Sequence, residues 1–376
     1  MPRASSATLR RRHQLASEAA ARHHADALIV TARSNILYLT NFAGSAAVIV
    51  LMPDKVIFIT DFRYVTALDT LQKSANACPN LELVVVDSTY DAALINVIKS
   101  LGVARVAFEA SNLTVSRHSF LSSELSGTGP ALVSTDQLIE QIRVRKDTDE
   151  IHTLRTAAAL LSEVARGVFE EIARGRTERD IALAIDNRIK RAGFERPAFD
   201  TIVASGPRAA LPHATPGERR LDENDLVVLD FGGVYDSYCV DLTRTVVVGR
   251  ADNRGREVHA AVLEAHDRAI RAVAPGASRF TVDAAARDWL TAQGLGEAFG
   301  HGTGHGLGLD IHEGPRISRQ AGGASEDEAL APGMVFTIEP GAYLPGWGGV
   351  RIEDDVLVTE HGVEVLTSVT TDLLEL

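Results

Sequence analysis

The sequence predicts an α+β chain in two parts: an α/β layer domain over residues 1–135 and, over 136–376, a domain built from a helix-helix-hairpin unit used twice. Three observations carry this. Strand-like and helix-like segments interleave through the first third. The composition then shifts to Ser, Gly, Thr and Pro in SSELSGTGPALVST, around residues 123–135. Beyond it, two pairs of helical patterns are each followed by two apolar arms. At 376 residues the chain is long enough for two cores.

In the first part, DALIVT (26–31), AAVIVLMPDKVIFITD (46–61), LELVVVD (81–87) and VARVAFE (103–109) read as strands, the second a hairpin turning at Pro53-Asp54. A helical stretch spans Tyr90 to Leu101. In the second part, Asp147 and Glu150 suit a capping box, and Ile151, Leu154, Ala158 and Leu161 form one apolar helix face. Thr177 and Asp180 start a second helix in the same way. The third and fourth run over about Gly255 to Val273 and Thr281 to Ala292. The hairpin candidates are 225–249, around Gly232-Gly233 and the Tyr-Asp-Ser stretch, and 333–362, around a Gly/Pro-rich middle.

Bulk properties bound the function. A formal charge of -12 argues against nucleic acid, whose phosphates need a basic face, and against an anionic membrane surface. Cys78 and Cys239 stand far apart, in no metal-type spacing, which suggests a reducing compartment. The first 23 residues lack the apolar stretch of a secretory signal, and no apolar run approaches the ~18 residues of a membrane span. The expected location is the cytoplasm.

A carboxylate on the apolar face of a strand is costly unless it is paired or bound to metal. Asp230 ends LVVLD and Asp241 lies on the returning arm. Glu339 ends VFTIE, and Glu353 lies in VRIEDDVLV on the second return. Any one of them could be a solvated strand-end acid. Four at matching places would repel one another, and a divalent-cation cluster compensates them. Upstream of the second hairpin, GHGTGHGLGLDIHEGP supplies His301, His305 and His312. Four oxygen donors and an imidazole suit a dinuclear site for Mn²⁺, Co²⁺, Zn²⁺ or Fe²⁺, with Mn²⁺ the first expectation. Paired ions activate water at neutral pH, which is hydrolase chemistry.

LDFGGVYDSYCVDLTRT, HGTGHGLGLDIHEGP, FTIEPGAY and PGWGGVRIEDDVLVT, with PAFDTIVASGPRAALPHATP upstream, resemble the pita-bread metallopeptidases, and among them the Xaa-Pro peptidases (aminopeptidase P and prolidase). The resemblance covers about residues 140–370. The first third is more loosely similar to the creatinase-type N-terminal domain, through NILYLTNFAGSAAVIVL and ITDFRYVTAL. It implies that Asp230 chelates one metal, that Asp241 and Glu353 bridge both, and that His305 and Glu339 complete the second. It further implies that His301 and His312 polarise the scissile carbonyl and stabilise the tetrahedral intermediate, and that His213, in LPHATP, contacts substrate or shuttles a proton. Glu339 would also act as general acid and base, and Arg351 would orient a bridging carboxylate. Because related dimers close the active site with the neighbour's N-terminal domain, Asp61, Arg63 and Tyr64 join the substrate-site candidates. Ser237 and Val240 depart from the Gly and Ser of the family's YDGYCSD type of stretch.

The expected activity is a dinuclear metallopeptidase acting on proline-containing peptides and cutting before proline, whose tertiary amide lacks an N–H. Aminopeptidase action comes first, because the compact N-terminal domain resembles the short aminopeptidase forms. Xaa-Pro dipeptidase (prolidase) action is the alternative, the two differing in how that domain blocks the cleft. A non-catalytic pita-bread binding protein and a creatinase-like small-amide hydrolase are remoter readings, and both should lack the carboxylate set. The family also implies a homodimer.

Overall fold

The computed structural model describes residues 4–127, 129–320 and 329–376; the first three residues of the N-terminal segment, and Thr128 in the Ser/Gly/Thr/Pro-rich stretch, lie outside them. The chain divides into two units, Met1–Arg143 and Val144–Leu376.

The first unit runs α1 (Ser6–Arg22), β1 (Ala27–Val30), α2 (Arg33–Thr40), β2 (Val48–Leu51), β3 (Val56–Thr60), α3 (Phe62–Gln72), β4 (Leu81–Val85), α4 (Tyr90–Ser100), β5 (Arg105–Glu109), α5 (Val115–Leu125), β6 (Ala131–Thr135) and α6 (Leu138–Arg143). Its strands form one mixed sheet in the order β4-β3-β2-β1-β5-β6. The β2–β3 hairpin closes where Pro53-Asp54 predicts, with Met52 N–H donating to Lys55 O. The Ser/Gly/Thr/Pro-rich stretch holds the end of α5 and strand β6. That strand is only partly buried and sits at the sheet edge, so it lacks the continuous apolar run of β1 or β2.

The second unit opens with α7 (Thr148–Val168) and α8 (Glu178–Arg191), which carry the Asp147/Glu150 and Thr177/Asp180 capping boxes. β7 (Arg196–Pro197) and β8 (Ile202–Ser205) precede the long hairpin of β9 (Leu226–Tyr235) and β10 (Tyr238–Val247). Helices α9 (Asn253–Ala272) and α10 (Arg279–Ala292) then lead into β11 (Gly304–Gly306) and β12 (Glu313–Ile317). After these come β13 (Val335–Ile338), β14 (Gly341–Leu344), β15 (Gly348–Arg351), β16 (Asp354–Val358) and β17 (Val363–Val365).

Period-2 alternation sorts the long hairpin. Val227, Leu229 and Phe231 of β9, with Val240 and Leu242 of β10, share a core with Leu154 and Leu161 of α7 and Ile181 and Ile185 of α8. Each such fully buried side chain contributes roughly 1.5–3 kcal/mol. Asp230, Gly232, Asp241 and Thr243 therefore take the face away from those helices. A second core repeats the plan: Val262, Ala265 and Ala269 of α9 and Val282 and Leu290 of α10 pack with Phe336, Ile338, Val356 and Val358.

Of the two turn signals in the first hairpin, the Tyr-Asp-Ser stretch holds the turn, at Asp236-Ser237, both at positive φ (46° and 71°), while Gly232-Gly233 lies inside β9. Cβ atoms on Gly232 and Gly233 would press on the Val240 carbonyl (2.3 Å) and the Phe194 ring (2.4 Å), so close approach explains those glycines. Segment 333–362 is two ladders rather than one: β13 pairs with β16 and β14 with β15, in separate sheets. Glu339 and Glu353 occupy the breaks between them.

Candidate metal centre

In the long hairpin Asp230 lies opposite Thr243 and Asp241 opposite Gly232, so the two aspartates are diagonal neighbours on one face. Glu353 reaches them through an isolated antiparallel bridge to Thr243. His305 arrives on β11, between β12 and β13 and beside a register break at Gly306. Ligand-type atoms of Asp241, His305 and Glu353 all lie within 4.8 Å of one another. Glu339 Oε1 lies 3.6 Å from His305 Nε2. Arg351 Nη2 donates to Asp230 Oδ2 at 2.5 Å. The five residues of the anticipated ligand set and Arg351 thus meet in one place.

The glycines around His305 permit this. A Cβ on Gly304 would sit 1.8 Å from Thr337 O, and one on Gly306 would sit 1.9 Å from Gly314 O. The imidazole can enter only because its neighbours have no side chains.

Four carboxylates share this space with one guanidinium, and Asp230, Asp241, Glu353 and Arg351 are all buried. Burial raises all four acids above the ordinary carboxylate range, Glu339 to about 7; repulsion by neighbouring acids adds to the rise at Asp241, Glu339 and Glu353, while the Arg351 guanidinium opposes it, most directly at Asp230. Asp230 Oδ1 and Glu353 Oε1 are buried without a hydrogen-bond partner among the described residues. His305 Nδ1 lies 3.1 Å from Gly306 O; donation there leaves the lone pair on Nε2, toward the acids. Burial, with His312 alongside, lowers the His305 pKa to about 4, so the ring is neutral and able to ligate. Unpaired buried oxygens, uncompensated acids and a neutral imidazole fit divalent cations.

Around this set the structure adds residues that the sequence reading missed. Thr243, fully buried, donates to Glu353 Oε2 at 2.6 Å and accepts from Arg351 Nε at 3.1 Å. Tyr343 OH accepts from Arg351 Nη1 at 2.9 Å and lies 2.9 Å from His301 Nε2. Asp355 Oδ2 accepts the Asp241 N–H at 3.0 Å. On a strand a threonine reads as β propensity and a tyrosine as packing, so nothing in the sequence marks these three. Arg316 had a weak signal, four residues after His312 in the His-rich run. It pairs across strands with His305, and its charge acts on both His305 and His312.

The other anticipated residues are placed as follows. His312 packs against His305, ring centroids 4.3 Å apart. His301 has both nitrogens engaged, Nδ1 with Gly302 O and Nε2 with Tyr343 OH, and burial lowers its pKa to about 4. His213 is exposed on the loop after Ser205 and is near enough to influence Asp230, His301 and His312. Asp61, Arg63 and Tyr64 belong to the first unit. Asp61 caps α3, pairs with Arg63 at 2.8 Å and accepts from Tyr90 OH at 2.6 Å; Tyr64 OH meets Ser45 Oγ at 2.5 Å. Ser237 holds the positive-φ turn, and Val240 is fully buried in the core.

The chain is similar to known proteins along its whole length. Residues 152–360 match metallopeptidase family M24, and residues 12–145 match the Creatinase/Prolidase N-terminal domain. A Pyrococcus furiosus protein named Xaa-Pro dipeptidase is 44% identical over 64% of this chain and 67% of its own. The solved structure of an Xaa-Pro dipeptidase from Bacillus anthracis is 34% identical, covers 99% of this chain and 100% of its own, and superposes with a TM-score of 0.91. That of an X-Pro aminopeptidase from Thermotoga maritima is 33% identical, over 96% and 100%, at 0.85. Metallopeptidases of this family depend on a dinuclear metal centre. With the match running over more than half its length, the chain belongs to metallopeptidase family M24, as a metallo-exopeptidase with a pita-bread domain behind a creatinase-type N-terminal domain.

Proposed function

We propose that the protein is an Xaa-Pro dipeptidase, a prolidase, whose two divalent ions are held by Asp230, Asp241, His305, Glu339 and Glu353. The observation that carries the choice is that two Pyrococcus relatives, 44% and 41% identical, and the Bacillus anthracis structure are named Xaa-Pro dipeptidases, with prolidases among the other similar structures. This reverses the order expected from the sequence, which put aminopeptidase action first. The aminopeptidase reading keeps the support of the Thermotoga maritima structure. A dipeptidase needs a cation for the free carboxylate of the proline residue, and Arg316, opposite His305, is suited to that task.

When bound, the ions supply Lewis-acid activation of water at neutral pH, Mn²⁺ being the first choice and Co²⁺, Zn²⁺ or Fe²⁺ the others. The chain's own groups do the rest. Glu339 takes a proton from the attacking water and delivers it to the departing proline nitrogen. His312 and His213 face the scissile carbonyl. His301, committed to Tyr343, orders that hydroxyl and through it Arg351, which holds Asp230. Asp61, Arg63 and Tyr64 belong to this reading as residues closing the site of a second copy in a homodimer. The cytoplasm belongs to it as the location; no helix among the described residues is long and apolar enough to cross a membrane.

The test uses metal-stripped protein re-supplied with Mn²⁺, Co²⁺ or Zn²⁺, assayed on Xaa-Pro and Xaa-Pro-Yaa beside a Glu339→Ala variant. Metal-restored cleavage of the dipeptide that vanishes in the variant supports the proposal. Faster cleavage of the tripeptide returns the aminopeptidase reading, and failure on both with metal bound overturns cleavage before proline.

A further inference from the structure

Glu178 is the first residue of α8, and an exposed acid there would satisfy the helix dipole. This one is completely buried. Its Oε1 accepts from Ser205 N at 2.9 Å and Ser205 Oγ at 2.8 Å; its Oε2 accepts from Gly217 N at 3.1 Å; and Arg208 Nε reaches both oxygens, at 3.2 and 3.0 Å. Ser205 and Gly217 bracket the loop 206–217, which carries His213. The carboxylate therefore grips both ends of that loop at once. Arg208 extends the grip across it, with Nη2 donating to Thr215 O at 2.6 Å. Backbone bonds from Glu178 N to Arg219 O and from Arg179 N to Gly217 O close the same base. On its far side the loop leans on the metal centre's own scaffold, where Pro212 O accepts from Arg351 Nη1 at 3.2 Å.

His213 itself makes no comparable anchor: it is exposed, and its reach toward Asp230, His301 and His312 depends on where the loop stands. A buried carboxylate whose hydrogen bonds all go to this loop and the strand end before it costs desolvation that an apolar residue would avoid, and in return it fixes the loop to the strand.

We propose that Glu178 is a positioning residue that sets His213 against the substrate, acting through the loop 206–217; this rests on the assignment of His213 to the substrate side above. In Glu178→Gln the shape is kept, but one oxygen becomes an NH₂ group facing the N–H of Ser205 or Gly217 and the Nε–H of Arg208. Donor meets donor whichever way the amide turns, and the loop is released at one end.

Hydrogen exchange reads the grip without any need of activity. Glu178→Gln should speed exchange of the amides in 206–217 while those of β9 and β10 keep the wild-type rate; unchanged exchange in the loop overturns the proposal. Steady-state kinetics on Xaa-Pro read the consequence. The variant should lose roughly tenfold to a hundredfold in kcat/KM at unchanged metal content, the scale of a group misplaced by about 1 Å. In a His213→Ala background the same substitution should cost nothing further. Losses that multiply would mean Glu178 does not act through His213. If Glu178→Gln does not fold, Arg208→Gln removes the strap to Thr215 and the Arg208 pairing with Glu178 while leaving the carboxylate on Ser205 and Gly217, and should move both readouts in the same direction, by less; no movement in either would also overturn it. Wild-type protein that fails to cleave Xaa-Pro defeats the functional reading only, and hydrogen exchange still decides the grip.

Discussion

Thr243→Val is the sharpest perturbation of the metal centre that leaves every anticipated ligand in place. Valine keeps the volume and removes one hydroxyl, so the cavity penalty is small. What goes is the 2.6 Å donation to Glu353 Oε2 and the 3.1 Å acceptance from Arg351 Nε, both in a place with no access to water. Hydrogen bonds to charged groups are worth roughly 1.5–3 kcal/mol each, and here two buried charged partners lose one apiece, so the fold should weaken by about 3 kcal/mol or more. Glu353 already has a second oxygen without a partner, and a carboxylate left wholly unanchored no longer presents that oxygen to Asp241 and His305. Removing such a supporting hydrogen bond typically costs about 10- to 100-fold in metal affinity. Competition against a chelator measures that affinity for Mn²⁺ and Co²⁺, with Thr243→Ser as the variant that restores the hydroxyl. Val binding Mn²⁺ as tightly as wild type, or Ser behaving like Val, would refute the claim that the hydroxyl orients Glu353.

Three further outcomes follow from the same site. In metal-free protein Glu339 has its pKa raised from 4.5 to about 7, so the native state holds its proton more firmly than the unfolded chain does. Glu339's contribution to stability is then full below pH 4.5 and is lost as pH rises through about 7; thermal melts should show Tm dropping over that interval without metal and holding steady when metal is bound. Gly306→Ala puts a Cβ 1.9 Å from Gly314 O, backbone that cannot step aside, and should lower Tm and abolish stoichiometric metal uptake by elemental analysis. Arg316→Ala should raise KM roughly tenfold for an Xaa-Pro dipeptide, the scale of one lost charge-assisted hydrogen bond, and leave KM for Xaa-Pro-Yaa nearly unchanged; equal effects on both substrates would remove Arg316 from carboxylate recognition.

What the sequence could reveal of this centre follows from what strand periodicity encodes. Asp230 and Asp241 stand out because each interrupts an apolar alternation, and in the hairpin both fall on the face that the helices leave free. The register was less visible. Of the two turn signals, the Tyr-Asp-Ser stretch holds the turn, at Asp236 and Ser237 with positive φ, while the paired glycines are places where Val240 O and the Phe194 ring come too close for a side chain. Glu339 and Glu353 were legible as acids at strand ends, yet not as residues at the breaks between two ladders, because Pro340 and Ile352 give no sign that the strands change sheets there.

The supporting residues were hidden for a different reason. Thr243, Tyr343 and Glu178 act through hydrogen bonds spanning 110, 8 and 39 positions of the chain, to Glu353, Arg351 and Gly217. No local pattern distinguishes a threonine that orients a carboxylate from one that only fills a strand. The proposed ligands are conspicuous because a buried acid violates the expected pattern, whereas the residues proposed to aim them conform to it. The two classes should therefore respond differently to substitution: loss of a ligand removes a metal outright, and loss of an aiming residue leaves the metal bound more weakly or the substrate less well placed. Glu353→Gln and Thr243→Val, compared at saturating Mn²⁺, separate these cases, since only the second should recover activity as metal is raised.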